Sequence, residues 1–146
     1  MGLKTVIMSV TDLTERRVQE MLRLMQAYYL NVTPAQFIKD LEEKDFVILL
    51  YESDYIRGFS TWMLFSHDFE GQRVNVIFSG DTIIDRSHWH SLALPLAWGR
   101  LMLSALTEQR GEELYWLLTS KGYKTYRFLP VFFLEFYPSY VKEAPP

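Results

Sequence analysis

The sequence predicts an α+β fold: a mixed, mostly antiparallel sheet flanked by helices. Three observations carry that expectation. β-Branched and aromatic runs recur between turn residues at Phe46–Tyr51, Arg57–Phe65 and from Val74 onward, which places three antiparallel strands in succession. Two amphipathic helical stretches precede them, and a long, apolar helical stretch follows. Leu114–Leu118 (LYWLL) is then a short, wholly apolar run, which reads as an interior strand packed on both faces. Strand, two helices, three strands, helix, strand and helix is an α+β order with a mixed sheet.

Composition narrows the function classes. The chain of 146 residues fits one domain, expected over residues 1–140 with a loose tail at 141–146. With 49% hydrophobic and 16% aromatic residues it forms a core and is not a disordered chain. A net charge of −3 argues against nonspecific nucleic-acid binding through a basic surface. The absence of cysteine excludes disulfides, thiolate metal sites and a cysteine nucleophile. Met1–Val10 is too short and polar for a secretory signal, and no apolar run approaches about 18 residues. The expectation is a soluble cytoplasmic protein without membrane or nucleic-acid partners.

In chain order, Val6, Ile7, Met8 and Val10 suggest a short first strand. Thr11-Asp12 then reads as a helix cap, with Glu15 in capping-box position, and Val18, Met21, Leu22, Met25, Tyr28 and Tyr29 mark one helical face. Asn31 is the expected stop. Thr33-Pro34 opens a second helix, Thr33 as cap, Pro34 at the first helical position and Gln36 completing a box. The next two strands are expected to form a hairpin with a slightly long loop at Ser53 and Asp54, and His67–Gln72 reads as a second polar loop. The long helix is expected to end near Leu106, with Gln109-Arg110-Gly111 as its stop. Pro95 fits only near that helix's start, or else kinks it.

The stretch Val74–Leu106 is the candidate centre. A central strand feeding a buried helix is a common ligand position, because free N–H groups at a helix start attract anions. Asp81 stands in an otherwise apolar strand. It is either a general base, its pKa raised by burial, or a bulge or strand-edge carboxylate bonded locally to Thr82 or Ser79. His88 and His90 could ligate a metal if the joint were extended, but no cysteine and only His67 and scattered carboxylates could complete the set, so no metal is expected. Either histidine can instead cap the helix start or line a pocket. The aromatic residues from Trp62 to Tyr137 are read as core, with some left to line an apolar pocket or a partner surface.

Ile56-Arg57-Gly58-Phe59, the strand-to-helix joint after Ile84, and LYWLL followed by Ser120-Lys121-Gly122-Tyr123 carry a resemblance to the GNAT superfamily of acyl-CoA N-acyltransferases. SGDTIID, YWLLTSKGYKTY and FYPSY are similar to a divergent GNAT-like group. The resemblance implies acyl transfer from acyl-CoA to an amine acceptor. It also implies a coenzyme A pyrophosphate site at the joint Asp85–Ala93, where Arg86, Ser87, His88 and Ser91 are the candidate contacts. Asp81 would be the base, and Tyr126, or alternatively Tyr123, the acid that protonates the departing thiolate. The joint contains no glycine, unlike the family's loop, and Trp89 and His90 add bulk there. That departure keeps open a second reading, a non-catalytic GNAT-like domain serving small-ligand binding or protein association. Members of the superfamily finish with two further strands; this chain is expected to lack that hairpin, leaving an edge that a homodimer mate could cover.

Overall fold

Thr5, Val6 and Ile7 supply the β-branched chemistry of the first strand, β1 (Lys4–Ser9). The computed structural model describes residues 2–108, 113–120 and 122–143. After β1 the chain makes a 3-10 turn over Val10–Asp12 and enters α1 (Glu15–Tyr28). The expected Thr11-Asp12 cap is displaced to Thr14, whose hydroxyl accepts the Arg17 N–H at 3.4 Å. The reason is local: Leu13 N–H closes the 3-10 turn on Val10 C=O, so Asp12 lies a turn ahead of the helix. After α1, Asn31 takes a left-handed conformation (φ 61°), as expected of a stop. In α2 (Pro34–Glu42) Thr33 caps the Gln36 N–H at 3.3 Å. The Gln36 side chain bonds forward to Asp40 at 2.7 Å, so only half of the expected box forms.

Three long strands follow: β2 (Phe46–Glu52), β3 (Tyr55–Phe69) and β4 (Gln72–Ile84). Both connections are tighter than the sequence suggests. Ser53-Asp54 alone turns β2 into β3, with Ser53 at φ 53°. Glu70-Gly71 turns β3 into β4 with both residues at positive φ, the geometry whose twist matches a right-handed hairpin. The expected polar loop is therefore mostly strand, with His67 paired to Val74 and Asp68 to Arg73.

The strands line up in chain order, β1-β2-β3-β4-β5, antiparallel except where β5 (Leu114–Leu118) joins β4 in parallel. That parallel return is made through α3 (Ala93–Glu108). Two short helices, α4 (Tyr123–Tyr126) and α5 (Phe128–Phe132), close the described chain. The stop expected at Gln109-Arg110-Gly111 lies outside the described residues.

The alternation of β2 explains both cores. Val47 and Leu49 face α1 and α2 in a cluster with Met21, Met25, Phe37, Leu41 and Phe59. Ile48 and Leu50 face α3 in a second cluster with Trp62, Ile77, Leu94 and Ala97. Each such fully buried side chain contributes about 1.5–3 kcal/mol of transfer free energy. The interior position expected for LYWLL is corrected: β5 is the sheet's edge, its burial alternates, and Tyr115 and Leu117 are each about half exposed. Apolar composition cannot distinguish an interior strand from an edge strand that lacks its next neighbour. No strand follows β5 among the described residues, and no described helix is long and apolar enough to cross a membrane.

Candidate functional site

β4 is longer than its parallel partner. β5 pairs only with Asn75–Ser79, so Gly80–Ile84 continue with β3 on one side and no strand on the other among the described residues. Within that continuation the ladder slips: Ser60 pairs with Thr82 but Trp62 with Ser79, which inserts one extra residue into β4. The sequence makes the bulge at Gly80-Asp81 because no side chain fits there. A Cβ on Gly80 would stand 2.6 Å from Thr61 Oγ1 and 2.8 Å from Lys44 Cε. Three hydroxyls brace it: Thr61 donates to Asp81 C=O at 3.4 Å, Thr82 donates to Gly80 C=O at 3.3 Å, and Ser60 and Thr82 share a 2.8 Å bond. Asp81 is thus a half-buried carboxylate carried on a bulge beside an open strand edge.

On the α3 side, aromatic rings fill the place where β4 and β5 part. Trp62, Trp98, Trp116 and Phe133 stand in series, with ring centroids 4.2, 4.4 and 5.3 Å apart. Trp116 Nε1 donates to Ser79 Oγ at 3.1 Å, a cross-strand bond at the last residue of β4 that pairs with β5. Trp62 Nε1 is buried with no hydrogen-bond partner among the described residues.

The joint after β4 is closed on itself. Asp85 accepts from Ser87 N–H at 3.0 Å and from Ser87 Oγ–H at 2.6 Å, the short distance of a charge-assisted bond. The Ser87 hydroxyl holds its carboxyl below the usual range. Ser87 Oγ also lies 2.8 Å from His88 Nδ1, and His88 Nε2 lies 3.3 Å from Glu52 Oε1. Glu52 is lowered chiefly by that bond to His88, and Arg57 holds its other oxygen at 3.1 Å. Although serine, histidine and carboxylate stand in line, the order is wrong for a nucleophile: the Ser87 proton is given to Asp85, not to the imidazole. His88 is committed to Ser87 and Glu52 in a 3-10 turn (Arg86–His88), not in the extended joint a two-histidine metal site needs.

The helix start is similarly occupied. Ser91 Oγ accepts the Ala93 N–H at 3.2 Å, Pro95 has no N–H, and Leu96 N–H bonds Leu92 C=O. Of the first three residues of α3, Leu94 alone has a backbone N–H with no partner among the described residues. Pro95 sits in the first turn, so the helix needs no kink. Of the four candidate donor-site residues, Arg86 is the one whose charged group is in no ion pair among the described residues. Its exposed guanidinium is stacked 5.8 Å from the Tyr28 ring and 5.7 Å from the Trp89 ring.

Tyr126 is placed apart from this cluster. Its hydroxyl donates to Pro138 C=O at 3.0 Å, and its ring meets Phe136 edge-on. With Tyr123, Arg127, Pro130, Val131 and Tyr140 it lines a recess of about 290 Å³, and Asp81 is not among the lining residues. Sequence reasoning missed Glu52, Arg57 and Tyr28 at the joint and Lys44 and Thr61 at the bulge. Glu52 is 36 residues from His88, so no local pattern links them. A glycine inside a strand was the one legible signal, and it does mark the bulge.

A five-stranded sheet in this order, with one long helix between a bulged fourth strand and a parallel fifth, defines a class: the chain has the GNAT acetyltransferase fold. Over 97% of its length it superposes on 99% of a transcriptional regulator from Bacillus halodurans C-125, at 13% identity and a TM-score of 0.65. It is equally similar to AAC(6')-Iy in complex with the bisubstrate analogue CoA-S-monomethyl-acetylneamine (TM-score 0.65, 10% identity, 90% of this chain and 92% of that one). A Trypanosoma brucei acetyltransferase matches at a TM-score of 0.55 and 15% identity, over 87% of this chain and 88% of that one. No family model matches the sequence, and no curated protein matches it significantly.

Proposed function

We propose that the chain is an acyltransferase that moves an acyl group from an acyl-CoA thioester to an amine. The observation that carries this reading is the bulged strand β4 running on past β5. On the side away from β3 its Gly80–Ile84 edge has no strand neighbour among the described residues, and an extended, amide-bearing thioester arm can add to such an edge as a strand does. Similarity in fold to a protein bound to a CoA-based bisubstrate analogue supports the same donor class.

In this reading the amine nitrogen attacks the thioester carbonyl, Asp81 takes the proton released from nitrogen, and the thiolate leaves. Tyr126 returns a proton to that thiolate once its hydroxyl is released from Pro138 C=O; Tyr123, an exposed neighbour on α4, is the alternative donor. The anionic end of the donor is held mainly by Arg86. Ser87, His88 and Ser91 contribute less, because their polar atoms are already bonded to Asp85, Glu52 and the helix start.

A second reading, a non-catalytic GNAT-fold domain for small-ligand binding or protein association, is favoured by the same occupied joint. Two carboxylates and a helix start with a single free donor make a weak pyrophosphate cradle. Thermal unfolding with acetyl-CoA and with a longer acyl-CoA separates the two. A donor at about a hundredfold over its dissociation constant adds roughly 2.7 kcal/mol, a rise of several degrees for a chain of this length. The acyltransferase reading expects that shift with at least one thioester and its loss in Arg86→Ala. It also expects Asp81→Asn to keep the shift while losing acyl transfer in an amine screen. No shift with either thioester at millimolar concentration sinks it and leaves the second reading.

A further inference from the structure

The outward face of a surface helix is normally its polar face; in α3 it is apolar. The inward face is taken by the sheet, where Leu94, Ala97 and Ala105 are buried and Trp98, Leu101 and Met102 join the same cluster. On the opposite side Leu92, Leu96, Gly99, Leu103 and Leu106 are all exposed, Leu92 and Leu103 by 66% each. Their spacing is four, three, four and three residues, the seam of a helix pair and not a scatter of single apolar residues. The ends of the stripe are symmetric: Leu92 and Leu106 each stand seven residues from Gly99. A Cβ on Gly99 would meet nothing within 4 Å, so a second helix can approach there at the close end of helix spacings, about 8 Å.

We infer that this seam is the two-fold interface of a homodimer, with two α3 helices crossing antiparallel at Gly99. Leu92 then lies against the second copy's Leu106, and Leu96 beside its Leu103, one residue out of exact register. In this antiparallel arrangement the helix dipoles oppose. One patch serves both copies, as a closed two-fold interface requires. The four leucines expose roughly 450 Å² per copy, within the range of the largest apolar patch of a monomer and over half of the roughly 800 Å² per partner of a standard interface. Arg100 and Thr107 flank the seam on one side. This interface is separate from the open edge of β4 and does not depend on the acyl-transfer reading. It also moves the dimer contact expected from sequence off the sheet edge and onto α3.

Sedimentation equilibrium of the full chain is expected to give twice the 17.3 kDa chain mass at micromolar concentration. Leu103→Glu, at an exposed position, is expected to weaken association roughly a hundredfold or more with an unchanged far-UV spectrum. Because the chain has no cysteine, single cysteines report the geometry without background. Gly99→Cys is expected to cross-link with itself under oxidation. Leu92→Cys is expected not to, yet to cross-link when mixed with Leu106→Cys. A monomer throughout the concentration range, a dimer indifferent to Leu103→Glu, or self-cross-linking of Leu92→Cys would each overturn the proposal. If Leu103→Glu fails to fold, the cysteine pattern alone decides.

Discussion

Gly80→Ala tests the bulge on which the candidate base is carried. The added methyl would lie 2.6 Å from Thr61 Oγ1 and 2.8 Å from Lys44 Cε, both far inside contact distance. Lys44 has a flexible end, but moving it breaks its 2.8 Å bond to Asp40 C=O and its position 5.7 Å over the Phe78 ring. Thr61 is a buried, β-branched residue of β3, and turning it forfeits its bond to Asp81 C=O. Forced overpacking of this kind costs about 2 kcal/mol. For a chain of this size that lowers the melting temperature by roughly 4–8 °C. Urea unfolding followed by far-UV circular dichroism measures it at equilibrium. The double substitution Gly80→Ala with Thr61→Ala removes the nearest clash, so the pair is expected to be less destabilised than the sum of the singles by at least about 0.5 kcal/mol. An unchanged melting temperature in Gly80→Ala, or strict additivity of the pair, would refute the reasoning that steric exclusion of a side chain sets the bulge.

Other expectations follow from the same contacts. Ser79→Ala strands the Trp116 indole N–H at the parting of β4 and β5 and is expected to cost about 1–3 kcal/mol, read from the urea midpoint. Glu52 and Asp85 both titrate below the ordinary carboxylate value near 4. Their stabilisation is therefore complete above that value and is lost as the pH falls through the depressed folded values. Melting temperature against pH is expected to fall more steeply on acidification in the parent chain than in Glu52→Gln or Asp85→Asn; parallel curves would remove the His88 and Ser87 bonds as the cause. The thioester shift and the cysteine cross-links stated above test the donor site and the α3 seam.

Much of the frame was legible because it rests on local chemistry. Thr33-Pro34 announced α2, Asn31 the end of α1, and the apolar runs around Val47, Phe59 and Ile77 their strands. The Asp12 cap was misplaced because Thr14, two residues on, competes for the same role, and only the 3-10 turn before it decides between them. The hairpins came out tighter than expected because Ser53 and Glu70 take positive φ, an uncommon conformation for residues other than glycine.

What the chain by itself determined was the order of elements, the GNAT-like α+β class, the absence of cysteine chemistry, and a strand-to-helix joint without glycine. Each depends on residue type or on spacing within one or two turns of chain. Tertiary structure alone decided that LYWLL is an edge strand, that Asp81 rides on a bulge against Thr61 and Lys44, and that Glu52 and Arg57 close the joint through His88. It also decided that the described residues leave the apolar outer face of α3 exposed. Those outcomes depend on which strand ends first and on contacts between residues tens of positions apart, and no local period or propensity encodes either.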